Sequence, residues 1–290
     1  MPRRAALGFG LLGNVLIVGV TYIWGKYALL HIPPLTIGLL RFSVSAILLY
    51  FSTRIFYSRL SIEKKDLRYF WMLGAFAVPG NQLFFLMGLS NTTPAHSALM
   101  YSTLPIFVYI ISLSLREERF AWMKTLGIIL AFLGVYLILS ENGIDFKSDY
   151  VIGDLTILVA VTSWSFYTVM GRPMIRKYGA FFVNARALTF GAIMFFPFGI
   201  YQTVGFDFTS APLLAYGGVL WMTVMTSIVA YTLWVWALKH MESSKVGVVN
   251  NLQPVVTAIM SFFLFGETFS ALFIGAGLIV IFGVFLTQKG

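Results

Sequence analysis

The sequence predicts an all-α membrane protein of ten transmembrane helices, arranged as two inverted five-helix repeats with both termini cytoplasmic. Composition, the placement of basic residues and an internal repeat predict it. Of 290 residues, 59% are hydrophobic and 11% charged, with a mean hydropathy of +0.85. Soluble domains carry about 25% charged residues, so water cannot be the solvent for most of this surface. Each span needs ~20 apolar residues, so ten take up roughly 200 and leave no room for a separate soluble domain.

Apolar runs lie near residues 6–28, 35–52, 69–89, 95–115, 122–140, 154–171, 180–202, 213–238, 245–265 and 269–287. Met1-Pro2-Arg3-Arg4 before the first run has the look of a signal peptide, but no polar mature domain follows, so the run is expected to be a retained span. His31-Ile32-Pro33-Pro34 separates the first two spans, and the charged stretch 53–68 separates the second and third. Ser90 to Pro94 ends the third, Arg116 to Arg119 the fourth, Glu141-Asn142-Gly143 the fifth and Asp207 to Ser210 the seventh. Apolar residues run almost all round each segment, without the alternation of barrel strands.

Counting Lys and Arg loop by loop puts sixteen on one side, from Arg3 to Lys289, and only Lys26 and Lys147 on the other; Arg41 and Arg186 fall inside spans. Basic loops stay in the cytoplasm, which places both termini there and requires an even number of spans. The net charge of +9 thus has a membrane explanation, and no nucleic-acid partner is expected. With no cysteine there is no disulfide, thiolate nucleophile or Cys-ligated metal.

Residues 87–136 slide onto 236–285 at a constant offset, pairing Leu89 with Leu238, Pro105 with Pro254, Glu118 with Glu267, Phe120 with Phe269 and Gly134 with Gly283. An earlier block sets Lys26 against Arg172. The halves are taken as 1–145 and 146–290. Five spans repeated in one chain enter the bilayer in opposite senses, and the loops agree: Ser90 to Thr93 is uncharged where Lys239 to Lys245 is basic. Halves related in this way can exchange conformations around a midplane site, giving alternating access. A static bundle such as a channel uses the same duplication.

The motifs resemble the EamA-type, ten-helix branch of the drug/metabolite transporter superfamily over nearly the whole chain, from Gly13 to Leu286. In the first half the resemblance rests on Lys26, His31-Ile32-Pro33-Pro34-Leu35-Thr36, Leu40-Arg41-Phe42, Thr103-Leu104-Pro105 and Glu118. In the second half it rests on Gly153-Asp154, Ser163-Trp164, Tyr167-Thr168, Ala230-Tyr231, Leu233-Trp234, Ala237-Leu238, Gln253-Pro254, Gly266-Glu267 and Gly283-Val284. Val18-Gly19-Val20-Thr21 departs from the Trp-Gly-Ser/Thr-Asn run usual there. The resemblance implies that spans 1, 3, 4, 6, 8 and 9 surround a central cavity. It also implies export of small metabolites from the cytoplasm across the inner membrane, with amino acids the leading class. Uptake of a quaternary amine or nucleotide precursor, or a channel, is the alternative.

Candidate substrate contacts are the polar and aromatic residues of those spans: Asn14, Thr21, Asn81, Gln82, His96, Tyr101, Trp164, Tyr167, Tyr231, Asn250 and Asn251. Buried amides must be hydrogen-bonded, so each either ties helices together or meets substrate. Pro79, Gly80, Pro105 and Pro254 mark candidate hinges, since proline removes an intrahelical bond. Arg41 could hold a substrate carboxylate, but the resemblance puts its helix outside the cavity, so bonding to carbonyls or a partner helix is the expected role. All eleven acidic residues lie in loops or at span ends, which disfavours lipophilic cations except by cation–π contact. Three histidines and no buried acids assemble no protease site, and no phosphate-binding glycine loop is present. The expectation is a carrier without ATP, metal or bound cofactor, working as a monomer or homodimer in the bilayer on a small-molecule substrate.

Overall fold

The computed structural model describes residues 2–92, 94–141, 148–253, 255 and 270–290. Among these residues the chain is helical, without strands. Eight stretches are long and apolar enough to cross a membrane: Ala6–Leu29, Pro34–Phe56, Lys64–Asn91, His96–Ser114, Tyr150–Met170, Ala180–Thr203, Leu213–His240 and Ala271–Lys289. A shorter apolar helix covers Trp122–Ile138. These nine follow nine of the ten expected spans in order. The other, near 245–265, opens with two short helical turns and then passes outside the described residues, as do Pro254 and Glu267.

In chain order the helices are α1 (Pro2–Leu29), α2 (Pro34–Phe56), α3 (Lys64–Ala77), α4 (Phe84–Asn91), α5 (Pro94–Ser102), α6 (Leu104–Ser114), α7 (Trp122–Glu141) and α8 (Ser148–Met170). Then come α9 (Arg172–Tyr178), α10 (Ala180–Thr203), α11 (Leu213–Trp221), α12 (Tyr231–His240), α13 (Ser243–Gly247) and α14 (Ala271–Lys289). Pro34 supplies the fixed φ that starts α2, and Gly179, at φ +85°, separates α9 from α10. Two pairs run on as single spans through π-helical segments, Pro79–Leu83 between α3 and α4 and Met222–Ala230 between α11 and α12. A 3₁₀ turn, Val248–Leu252, follows α13.

Large apolar side chains on the outer faces, among them Phe9, Ile23, Phe51, Ile129, Phe196 and Phe282, are exposed, as a surface solvated by lipid requires. The interior holds Val15, Phe42, Phe70, Phe182 and Phe195, with Phe42 and Phe195 edge to face at 5.9 Å between α2 and α10. The helices α7 and α14 meet closely through small residues. A Cβ on Gly134 would lie 2.6 Å from Val280 Cγ2 and 2.9 Å from the Ala276 carbonyl; one on Gly283 would lie 2.5 Å from Ala131 N and 2.6 Å from the Gly127 carbonyl. Backbones approach this closely in membranes because dispersion, rather than the hydrophobic effect, holds helices together there.

Polar ties close both ends. Lys26 Nζ donates to the carbonyls of Leu89 and Thr92 at the end of α4, 3.0 Å each, and Arg172 Nη2 donates to the Met241 carbonyl after α12 at 3.1 Å. The buried Glu118 carboxylate accepts from Ser244 N at 3.0 Å, from Ser244 Oγ and from Lys124 Nζ at 3.1 Å, tying the α6–α7 turn to the start of α13. At the N-terminus of α3, Lys177 bridges Glu63 and Asp66 at 2.6 Å each, which holds the Glu63 carboxyl below its ordinary pKa.

Candidate central cavity

The segment Pro79–Leu83 is π-helical because Pro79 has no N–H to give. The ladder is carried past it by Gln82 N to Val78 O at 2.7 Å and, five residues back, Leu83 N to Val78 O at 3.2 Å. The bend expected at Pro79-Gly80 therefore takes the form of a π segment, and it carries Asn81 and Gln82 buried into the bundle. Gly80 is required by close approach: a Cβ there would strike Ser163 Oγ on α8, which donates to the Phe76 carbonyl at 3.0 Å. Pro105 has a related effect. The fourth span breaks between α5 and α6 at Thr103, whose hydroxyl and N–H both turn back to the Met100 carbonyl.

Nothing in the sequence between Met222 and Ala230 signals the second π segment, which contains neither proline nor glycine. Side chains from three other helices stabilise it. Ser45 Oγ of α2 shares its one proton between its own Arg41 carbonyl at 2.7 Å and the Thr223 carbonyl at 3.1 Å, Asn184 Nδ2 of α10 donates to Ser227 O at 3.2 Å, and Asn14 Nδ2 of α1 to Ala230 O at 2.8 Å. Ser227 Oγ itself donates five residues back to Met222 O at 3.1 Å.

Between the two π segments lies a cavity of about 60 Å³. Eight of the eleven candidate contacts line it: Asn14, Thr21, Asn81, Gln82, Tyr101, Trp164, Tyr231 and Asn250. Val18, Tyr22, Phe85, Thr226, Trp234 and Gln253 complete the wall together with Arg41. All six spans expected around the cavity contribute, and α2 joins them through Arg41. Here the expectation that this helix lies outside the cavity is corrected. Arg41, 1% exposed, donates from Nε to Ser227 Oγ at 2.9 Å, from Nη1 to Gln82 Oε1 at 2.8 Å and from Nη2 to the Tyr231 hydroxyl at 3.3 Å. It also lies over the rings of Phe42 and Tyr231, 4.8 and 5.8 Å from their centroids. A chain of bonds continues from it: Gln82 Nε2 donates to Asn81 Oδ1, and Asn81 Nδ2 donates to the Tyr101 hydroxyl and to Ala160 O, both at 2.8 Å.

Thr21 gives its proton to Ile17 O at 2.8 Å, so the 2.6 Å contact with Thr226 is donated by Thr226. Asn250 Oδ1 accepts from Gln253 Nε2 at 3.1 Å. Trp164 packs against Tyr167 and Tyr231 with ring centroids 4.8 and 4.6 Å apart, so it presents to the cavity while Tyr167 backs it.

The other three candidates sit elsewhere. Tyr167 forms this second layer, and Asn251 is fully buried away from the cavity with neither amide atom bonded among the described residues. His96, at the start of α5, places Nδ1 2.7 Å from Asp154 Oδ2, and the other oxygen of that carboxylate accepts from Thr92 Oγ1 at 2.7 Å. That arrangement fixes α5 to α8 away from the cavity. Among the described residues no group of three His, Cys, Asp or Glu side chains could hold a metal.

An apolar helical bundle around a small cavity is matched by known sequences. The profile of the EamA-like transporter family matches residues 7–140 and 151–288. The chain belongs to the EamA-like transporter family. It is therefore a multi-pass membrane protein of a transporter family, embedded in a lipid bilayer and serving a small-molecule substrate. It is 27% identical over 286 residues to the uncharacterized transporter YyaM of Bacillus subtilis (strain 168), covering 97% of this chain and 92% of that one. It is 29% identical over 281 residues to an uncharacterized transporter of Archaeoglobus fulgidus, covering 94% of each. A protein crystal structure superposes with a TM-score of 0.78 over 98% of this chain and 97% of that one; at 17% identity the likeness is one of fold.

Proposed function

We propose that this EamA-family protein is a secondary carrier that exports small metabolites, amino acids foremost, across the cytoplasmic membrane by alternating access. In this reading ten spans form two inverted halves, 1–145 and 146–290, with both termini cytoplasmic. The observation that carries the reading is the pair of π segments flanking the cavity, one in the third span of each proposed half. π segments inside α-helices recur at functional sites. A rigid pore has no need of one in each half.

Three further features support the two-half reading. The two stretches matched by the family run parallel to the proposed halves. The paired residues Lys26 and Arg172 make corresponding bonds, each to a carbonyl just beyond the third span of its own half, Thr92 and Met241. In the α7–α14 contact Gly134 meets Ala276 and Val280 while Gly283 meets Gly127 and Ala131; under the sequence offset the two sets exchange. Such an exchange is the mark of a local two-fold axis. Amino acids are favoured by an aromatic wall, Trp164, Tyr101 and Tyr231, without a carboxylate among its lining residues.

Counterflow in proteoliposomes tests the reading. Vesicles preloaded with single unlabelled amino acids, amines or nucleosides are expected to draw in the matching labelled amino acid saturably. Folded protein that dissipates gradients without saturation would replace the carrier with a channel.

A further inference from the structure

We propose that Arg41 is the anion receptor of the cavity, and that the substrate is a small carboxylate-bearing compound held by the two unspent terminal donors of its guanidinium. This rests on the carrier reading for the word substrate and adds its chemical class.

Arg41 lines the cavity at 1% exposure, yet all three of its partners, Ser227, Gln82 and Tyr231, are neutral. No carboxylate among the described residues pairs with it. A buried charge without a counter-ion is strongly destabilising, and in a membrane span it marks a pathway or a ligand by default. The donor inventory points to the ligand. Of the five guanidinium N–H groups, one each on Nε, Nη1 and Nη2 is used, which leaves one on each terminal nitrogen. A carboxylate accepts such a pair in a two-point contact, the strongest mode open to arginine.

The surroundings are set for the same ligand. The hydroxyls of Tyr231 and Tyr101 accept from Arg41 and Asn81, so each keeps its own proton to donate. Gln82 and Ser227 fix the orientation of the guanidinium while leaving its charge unneutralised. Substrate carboxylate would supply the missing negative charge on entry and take it away on release. A phosphate dianion would call for a second cation, and among the described residues the cavity wall holds none. For an amino acid, the ammonium would lie against the ring faces of Trp164 and Tyr231, since no acidic side chain among the described residues lines the cavity.

The test uses four probes of one shape on the purified full-length chain: leucine, 4-methylpentanoate, leucinamide and 3-methylbutylamine. Binding is followed by calorimetry and by the shift in Tm. Leucine and 4-methylpentanoate are expected to bind and raise Tm, with the amide and the amine weaker by about tenfold or more. Arg41→Lys keeps the charge but not the two-point geometry, and is expected to preserve the preference for acids at about tenfold weaker binding. Arg41→Gln is expected to abolish acid binding. Should Arg41→Gln not fold, the probe preference of the unmodified protein and of Arg41→Lys decides alone. Equal binding of the amine and the acids, acid affinity unchanged in Arg41→Gln, or no binding of either acid by the unmodified protein each overturns the proposal. Failure of the carrier reading has a separate signature: carboxylates bound through Arg41 but never exchanged across a vesicle.

Discussion

Asn81 spends both amide protons on the protein, whereas Asn250 spends neither; its only bond is accepted, from Gln253. That difference separates two roles the sequence leaves undivided. Asn81→Ala removes the donors that hold the Tyr101 hydroxyl and the Ala160 carbonyl and leaves Gln82 without its acceptor. It is expected to cost about 1–2 kcal/mol of stability, with transport lost alongside. Asn250→Ala is expected to leave Tm unchanged while exchange falls, because its free donors serve only the cavity. Thermal unfolding and counterflow on the two variants check the pair. At this scale the sequence identifies most of the wall, because an amide or tyrosine inside an apolar run has few other places to go. Arg41 bonds partner helices, as the sequence leads one to expect, but its long side chain also brings α2 to the cavity wall, which the resemblance does not imply. Gln82, Ser227 and Tyr231, which receive it, are separated from it by 41, 186 and 190 positions in sequence.

The two π segments differ in what makes them, and so in how visible they are from sequence. The first follows from Pro79, a local cause that can be read directly. The second has no local cause: its carbonyls find donors on α1, α2 and α10, so it is a tertiary feature. Ser45 provides a clean test. Ser45→Ala removes the proton shared between the Arg41 and Thr223 carbonyls with little change of volume and is expected to lower stability by about 0.5–1.5 kcal/mol. Ser52 of the same helix, half-buried and bonded only to its own Leu48 carbonyl, serves as the comparison, and Ser52→Ala is expected to leave Tm unchanged. Equal effects would mean that Ser45 stabilises α2 alone and that the π segment stands without it. The α7–α14 contact allows a second test. Gly134→Val and Gly283→Val each force a side chain into a backbone 2.5–2.9 Å away, and each is expected to cost about 1–3 kcal/mol. Similar costs are expected of two positions related by symmetry.

At the scale of the molecule, alternating access requires equivalent loops to lie on opposite sides of the membrane. Ser90 and Lys239, each at the end of the third span of its half, are paired by the repeat, and both are exposed. One belongs to an uncharged loop and the other to a basic one, and basic loops are retained in the cytoplasm. Because the chain has no cysteine, a single introduced thiol is the only site for a maleimide. In intact cells treated with a membrane-impermeant maleimide, Ser90→Cys is expected to label. Lys239→Cys is expected to stay unlabelled until the membrane is permeabilised. Labelling of both from outside would place equivalent loops on one face, and the halves could then no longer exchange roles about an axis in the membrane plane. The corresponding bonds of Lys26 and Arg172 would in that case lie at the same membrane face, leaving the cavity without a matched pair of closures. Opposite labelling would put one closure at each mouth, as alternating access requires: a salt-free lysine cap over Thr92 outside and an arginine cap over Met241 inside, tied into the Glu117 and Glu118 turn.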